Sequence, residues 1–332
     1  MAILPIFIPH AGCPHQCVFC NQKTISGQKN AAESGAREQI TRWLQWLRPS
    51  LENEAAFYGG SFTALDRDLQ ERLLLLTDEL LERGIIGSVR LSTRPDYIDD
   101  KKLELLRKHG VRLVELGVQS LDDRVLEAAG RGHTAADVVQ AMKRLRAYNF
   151  KTGLQMMVGM PLQSFSSLQN TVAQVINLQP DIARIYPLLV IKGTPLAESW
   201  AKGEFQPLSL DEAVRQSAWV YDQLMTNGIK VIRVGLQPDD ELCSPGNILA
   251  GPFHPSMGEL VQSFLLRERL TDKLLAVKGA ERIVISCPAK MESKLRGMKN
   301  SNIEYWQQLL APAKIVVEKT ADGDITVRAG CM

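Results

Sequence analysis

Apolar and polar positions alternate between two rhythms along the first 190 residues or so. The runs "ILPIFI" (3–8), "EAAFY" (54–58), "SVRLS" (88–92), "VRLVELGV" (111–118), "GLQMMV" (153–158) and "IARIYPLLV" (182–190) have the length and apolar content of buried strands. Between them, Ile40, Trp43, Leu44 and Leu47 fall at i, i+3, i+4 and i+7, and Leu69, Leu73, Leu76 and Leu80 follow a near-helical spacing. Leu168, Val172, Val175 and Ile176 repeat the pattern, so each segment predicts a helix with one apolar face. Strands that alternate with helices pair in parallel, because parallel neighbours need a crossover, and such crossovers are right-handed.

Six such units, wound continuously, curl into most of a barrel. In barrels of this kind chemistry sits at the C-terminal ends of the strands. The stretch "KGTPLAESWAKGEFQPLSLDEA" (192–213), rich in Gly, Pro and polar residues, marks a boundary, giving a barrel over 1–196 and a second region over 197–332. That region predicts helices near 209–226, 258–275 and 301–310. It also predicts strands at 230–236, 282–286, 314–318 and 324–328, with "TADGDI" as an Asp-Gly hairpin turn between the last two. The expected class is therefore α/β: a partial (β/α)6, TIM-like barrel with a smaller C-terminal α/β region.

Composition narrows this picture. The 332 residues are 45% hydrophobic and 23% charged, with a formal net charge of +2, so no global basic field predicts nucleic-acid binding and no DNA partner is expected. The opening "MAILPIFIP" has no charged leader and is broken by Pro5 and Pro9, and "LLLL" (73–76) is far too short to span a bilayer. No membrane association is expected, and the protein is placed in the cytoplasm. Thiols clustered in a reducing compartment point to metal ligation rather than disulfides.

Three of the six cysteines are clustered in "GCPHQCVFCNQ" (12–22), as Cys13, Cys17 and Cys20 in a Cys-x3-Cys-x2-Cys spacing just after the first strand. Two metal readings follow. A structural zinc would need a fourth ligand, for which His10 and His15 are near in sequence. A cubane [4Fe-4S] cluster held by three thiolates would keep one iron open. Cys243, Cys287 and Cys331 stand singly and suggest no second metal site.

Five further strings lie on the same face. "YGGSF" (58–62) follows the second strand, where glycines let backbone approach a ligand closely. "LSTRPDYI" (91–98) ends the third strand with donors that suit a carboxylate. "VELGVQSLDD" (114–123) places Glu115 and Gln119 in an otherwise apolar strand, where ribose hydroxyls or basic groups of neighbouring strands would satisfy them. "GLQMMVGMP" and "IYPLLVIKGTPL" finish the last two strands.

With an aromatic residue just before the last cysteine, the loop resembles that of radical S-adenosylmethionine enzymes. The resemblance implies an enzyme in which Cys13, Cys17 and Cys20 hold a [4Fe-4S] cluster whose open iron is chelated by S-adenosylmethionine. It further implies that Phe19 contacts the adenine, that Gly59, Gly60 and Ser61 meet the methionine amino group, and that Ser92 and Arg94 meet its carboxylate. Glu115 and Gln119 would lie near the ribose. One electron, from a donor such as a flavodoxin or ferredoxin, would cleave the cofactor to a 5′-deoxyadenosyl radical that abstracts hydrogen from a substrate.

From residue 3 to 196 the strings "LSTRPDYI", "ELGVQSLDD", "GRGHT", "GLQMMVGMP" and "IYPLLVIKGT" resemble, in order, the radical domain of the Elongator catalytic subunit family, in a short form without its acetyltransferase domain. That implies a transfer RNA base as substrate. The more distant resemblance to coproporphyrinogen oxidases implies a tetrapyrrole or small metabolite, and a zinc-bound RNA-binding protein without catalysis is the non-enzymatic alternative. The remainder shows no acetyl-CoA site, so acetyl-CoA-dependent carboxymethylation by this chain alone is not expected. Lys290, Lys294, Arg296 and Lys299 form a basic run that touches RNA phosphates or is a solvated helix face. "GRGHTA" (130–135) matches GxGxxA but follows a helical segment, so it is expected to be a helix stop with Thr134 as an N-cap.

Overall fold

The computed structural model describes residues 2–8, 13, 15–21, 32–237 and 242–330; His10 and Cys331 lie outside them. Strands and helices alternate as β1 (Ile3–Phe7), α1 (Ala32–Leu44), β2 (Glu54–Tyr58), α2 (Arg67–Glu82), β3 (Ser88–Thr93), α3 (Asp100–Lys108) and β4 (Val111–Gln119). They continue as α4 (Asp123–Ala128), α5 (Ala135–Ala147), β5 (Lys151–Val158), α6 (Phe165–Leu178) and β6 (Ile182–Pro187). All six expected strands are present and pair in parallel with their sequence neighbours.

Local chemistry explains the helix starts. Asp66, Asp99, Asp122, Thr134 and Ser164 each accept a hydrogen bond from a backbone N–H in the first turn of the helix that follows. Thr134 forms a full capping box with Asp137, so "GRGHT" is indeed a helix stop and restart. The sheet separates its two faces by period-2 alternation: in β4, Val114, Leu116 and Val118 join the large core against the helices, while Glu115 and Gln119 point the other way, into the curl of the sheet.

Beyond β6 come β7 (Val190–Ile191), α7 (Pro195–Ala201), α8 (Leu210–Thr226), β8 (Lys230–Val234) and β9 (Ile248–Ala250). The run expected as one strand over 182–190 divides near Pro187: β6 stays in the main sheet, and β7 pairs antiparallel with β9. β8 lies alongside β6 as a seventh parallel strand, with Ile182 opposite Lys230 and Arg184 opposite Arg233. The curled sheet therefore does not end at residue 196. The Gly- and Pro-rich segment holds α7, with Leu196 and Ala197 buried, whereas the short run "KVIRV" carries no signal of which sheet it joins. The sheet order begins at β1 and ends at β8, which leaves a half-barrel open between those two edges.

The last elements are α9 (Met257–Leu275), β10 (Arg282–Pro288), α10 (Glu292–Arg296), α11 (Ser301–Leu309), β11 (Lys314–Thr320) and β12 (Thr326–Ala329). The expected hairpin between β11 and β12 does not form, because both strands pair with β10, one parallel and one antiparallel. Burial explains the order. β10 hides Ile283, Val284, Ile285 and Cys287 and takes the centre, while the half-exposed β11 and β12 take the edges. Of the basic run, Arg296 pairs with Glu292 and Lys290 lies 3.9 Å from Asp322, both on the surface. Among the described residues, no helix is long and apolar enough to cross a membrane.

Trp306 is fully buried in this second core and donates from Nε1 to Thr271 Oγ1 at 2.9 Å. Trp306→Ala is expected to cost about 3–5 kcal/mol through lost burial and an unfilled cavity. A denaturant titration followed by circular dichroism measures it.

Candidate active site

The cysteine loop leaves β1 at the C-terminal edge of the sheet and is pinned from two sides. The Val18 N–H donates to Ala129 O at 3.1 Å, at the end of α4, and the Leu196 N–H donates to Val18 O at 2.8 Å, at the start of α7. Within the loop, the Cys20 N–H donates to Cys17 O at 3.1 Å. The three thiols differ in exposure: Cys13 reaches the surface, Cys20 is half-buried and Cys17 is buried. Phe19 packs on a small apolar cluster that includes Met157, Leu188 and Leu196. The "GRGHT" turn presses against the loop from below. His15 lays its ring on Gly132, where an added Cβ would come within 2.6 Å of it, and Gly130 lies beneath the carbonyl of Gln16.

Two arginines govern the electrostatics of this corner. Arg131 donates from Nη1 to Cys17 Sγ at 3.1 Å and from Nη2 to the carbonyl of Gly117 at 2.5 Å. Arg94 makes a two-pronged ion pair with Asp96, at 3.0 and 2.9 Å, and also donates to the carbonyl of Arg131. Desolvation and the neighbouring Cys17 raise the pKa of the Cys13 thiol, while Arg94, Arg131 and a hydrogen bond from the Ser61 backbone pull it down. Nε and Nη2 of Arg94, expected to meet a ligand carboxylate, are therefore engaged within the protein, and Nη1 stands outside these bonds.

The "YGGSF" backbone is held by hydroxyls. Ser61 Oγ lies 3.0 Å from Thr93 Oγ1 and accepts from the Arg94 N–H at 3.2 Å, and Thr93 Oγ1 also meets Thr63 Oγ1 at 2.6 Å. Gly59 has φ +90, a conformation that favours glycine, and with Gly60 it carries the half-buried backbone from β2 to Ser61.

Deeper in the curl, two arginines and a glutamine from three strands converge on Glu115. Its Oε1 accepts from Arg90 Nη2 at 2.8 Å and Arg184 Nη2 at 3.1 Å; its Oε2 accepts from Arg184 Nε at 2.5 Å and Gln155 Nε2 at 3.2 Å. Arg90 reaches on to Glu54 at 2.9 Å, Arg184 to the Tyr58 hydroxyl at 3.0 Å, and Gln155 to Ser92 Oγ at 3.0 Å. Burial alone would raise the pKa of Glu115, but the Arg184 and Arg90 guanidiniums outweigh it and hold the carboxyl below its usual range. Gly153 makes the space: a Cβ there would stand 2.9 Å from Glu115 Cγ. Of the two kinds of partner the sequence allows Glu115, the structure supplies arginines. Four donors occupy its two oxygens, so it organises this part of the lumen.

Gln119 differs. It sits at φ +68 at the end of β4, its Nε2 lies near Gly117, and its buried Oε1 has no hydrogen-bond partner. Arg131 Nε is likewise buried without one. A buried polar atom left unsatisfied is costly, so both fit a bound polar molecule at this mouth. The sequence pattern singled out Gln119 but missed Arg90, Arg131, Gln155 and Arg184. An alternation of polar residues within β3, β5 and β6 was the available signal for the strand residues. For Arg131 there was only its place between two glycines.

Comparison with known proteins fits this geometry. Residues 7–175 match the model of the Radical SAM superfamily, and residues 180–267 that of the Radical_SAM C-terminal domain. A tRNA uridine(34) acetyltransferase of Methanocaldococcus infernus is 26% identical over 81% of this chain and 57% of its own length. The heme chaperone HemW of Bacillus subtilis is 25% identical over 65% of this chain and 59% of its own. The structure of M. infernus Elp3 lacking residues 1–46 superposes with a TM-score of 0.65 at 24% identity, covering 81% of this chain and 63% of that one. The chain thus spans a little over half the length of the curated relatives it matches.

The residues fit the cofactors of that superfamily. Three thiols of graded exposure have a guanidinium and a backbone N–H aimed at their sulfurs, and orphaned polar atoms lie beside them. Among the described residues no three His, Cys, Asp or Glu side chains converge as ligands of one metal ion do. Thiolates that bind separate irons of a cubane need no such convergence.

Glu115→Gln strips the compensating charge from two buried arginines, and a loss of about 3–5 kcal/mol in unfolding free energy is expected by denaturant titration. His133 gives a pH dependence. Its Nε2 lies 3.3 Å from the Val118 carbonyl and so carries the hydrogen, and Nδ1 is buried without a partner. Burial, then the charges of Arg131 and Arg94, push its pKa down from 6.5 to about 3, against a smaller opposing pull from Asp96 and Val118. The unfolded chain therefore binds a proton below pH 6.5 that the folded chain refuses, and stability falls as pH drops from 6.5 towards 3, by up to about 1.4 kcal/mol per unit. His133→Gln is expected to flatten that part of the stability profile between pH 7 and 5; an unchanged slope would refute the assignment.

Proposed function

This chain belongs to the radical SAM superfamily, and we propose that it holds a [4Fe-4S] cluster on Cys13, Cys17 and Cys20 and acts on a transfer RNA uridine. The observation that carries the cluster assignment is the clamped cysteine loop at the strand ends, with Arg131 donating to Cys17 and the Ser61 backbone to Cys13. When bound, the cluster and S-adenosylmethionine supply one-electron cleavage of a sulfonium and hydrogen abstraction from an unreactive C–H bond. The chain's own residues bind and orient. Gly59, Gly60 and Ser61 present backbone to the methionine amino group, and Ser92 with the Nη1 side of Arg94 faces its carboxylate. Gln119 offers its unpartnered Oε1 to a ribose hydroxyl, and Phe19 offers an apolar face to the adenine.

The half-barrel lumen then receives the substrate through the gap between β1 and β8. Its wall is fixed by the Glu115 network, so the reacting group meets a preorganised surface. The uridine assignment is supported by the M. infernus relative, and a reductant such as a flavodoxin or ferredoxin completes the reaction. The HemW relative favours a second reading, a tetrapyrrole ligand in the same lumen.

Anaerobically reconstituted protein is expected to hold about four irons per chain and to release 5′-deoxyadenosine from S-adenosylmethionine after dithionite reduction. Cys17→Ala should abolish both. Unmodified tRNA should bind and raise turnover. Binding of a porphyrin with no response to tRNA would transfer the assignment to the second reading, and a Cys17→Ala protein that keeps its cluster would refute the site.

A further inference from the structure

Apart from Arg90 Nε, the charged groups of the lumen network find their partners within it, but a further arginine bonds to a cysteine. Arg131 stands between Gly130 at φ +63 and Gly132 at φ +68, and its own N–H donates to Leu126 O at 3.0 Å. Both glycines let the turn lie against the cysteine loop: a Cβ on Gly130 would reach 3.4 Å from the Gln16 carbonyl, and one on Gly132 would run into the His15 ring. The turn is thereby locked one layer beneath Cys17. The side chain, 7% exposed, is aimed by two acceptors, Gly117 O at the end of β4 and Cys17 Sγ. Its carbonyl is held in turn by Arg94, which Asp96 fixes. The chain Asp96, Arg94, Arg131, Cys17 leaves the guanidinium little freedom to choose another partner.

We infer that Arg131 is a positioning residue that sets the reduction potential of the cluster through its charged hydrogen bond to the Cys17 sulfur. This rests on the cluster assignment above. A guanidinium bonded to a ligating thiolate favours the reduced cluster, which carries one more negative charge, over the oxidised one, and the low exposure of the pair keeps water from screening that preference. The tether to Gly117 ties the same side chain to the strand that ends in Gln119. The cluster's charge environment and the cofactor mouth are thus held by one group.

The test uses the full chain, reconstituted without oxygen, as wild type, Arg131→Gln and Arg131→Lys, with S-adenosylmethionine left out. Iron and sulfide content are measured first, and the midpoint potential is then found by mediated titration followed by electron paramagnetic resonance. Arg131→Gln is expected to load iron normally and to titrate at a more negative potential. The ratio of reduced to oxidised cluster should fall about tenfold at a fixed solution potential, a shift of about 59 mV for one electron. Arg131→Lys, which keeps the charge, should stay close to wild type. Equal potentials in Arg131→Gln and wild type overturn the inference. So do equal shifts in both variants, which would assign the effect to packing alone. If Arg131→Gln takes up no iron, Arg131→Lys decides, and a potential away from wild type counts against the inference. A wild-type chain that takes up no iron overturns the cluster assignment itself, and the iron measurement reveals this before any titration.

Discussion

A buried carboxylate shared by four strands governs the interior of this half-barrel. Glu115 is 1% exposed and bonds to two guanidiniums and an amide, which arrive from β3, β5 and β6. A charge placed there without partners would be expelled or neutralised, so the strands must align in the one register that brings Arg90, Gln155 and Arg184 to it. Gly153 serves the same end by leaving room for the Glu115 stem. The network also explains how an inward sheet face can be polar without being soft: each charged group is held by at least one other, and Tyr58, Glu54 and Ser92 extend the bonding to the neighbouring strands.

Above this rigid floor the described residues of the cysteine loop form no helix or strand, and their position is borrowed from the elements around them. Backbone bonds to Ala129 and from Leu196, the ring of His15 on Gly132, and the Arg131 bond to Cys17 hold it to two parts of the barrel, the turn after α4 and the start of α7. Chemistry that depends on a thiol's charge is well served by this arrangement. Loops carry the reacting groups, the scaffold carries the precision, and cationic side chains at the join pull against the burial that raises the Cys13 thiol. The C-terminal region contributes in a different way. It lends one strand, β8, to the edge of the half-barrel, packs Val220 and Leu224 of α8 into the main core, and builds a second small core around Trp306.

The division between what was legible in the chain and what was not follows the range of the interactions. Strands over 54–58 and 111–118, the apolar faces of α2 and α6, the Thr134 cap and the three-cysteine spacing are set by neighbours a few residues apart, and a linear pattern records such neighbours directly, although Trp43 of α1 is exposed and Leu47 lies beyond that helix. Gln119 was also visible, because an amide in an apolar strand needs an explanation. Pairings across long separations were not. The partners of Glu115 lie 25, 40 and 69 residues away, and Cys17 meets an arginine 114 residues further along.

The order of β11, β10 and β12 was equally hidden, since an Asp-Gly turn is compatible with a hairpin but burial of β10 decides which strand takes the centre. β8 joined the main sheet for a similar reason: Val231, Ile232 and Val234 state that a strand exists, and only the open edge beside β6 states where it goes. The sequence by itself determined the repeating strand and helix units and the thiols at their ends, because those depend on local geometry. The tertiary structure alone decided which charges meet and which sulfur an arginine touches, because electrostatic partners are chosen by distance in space.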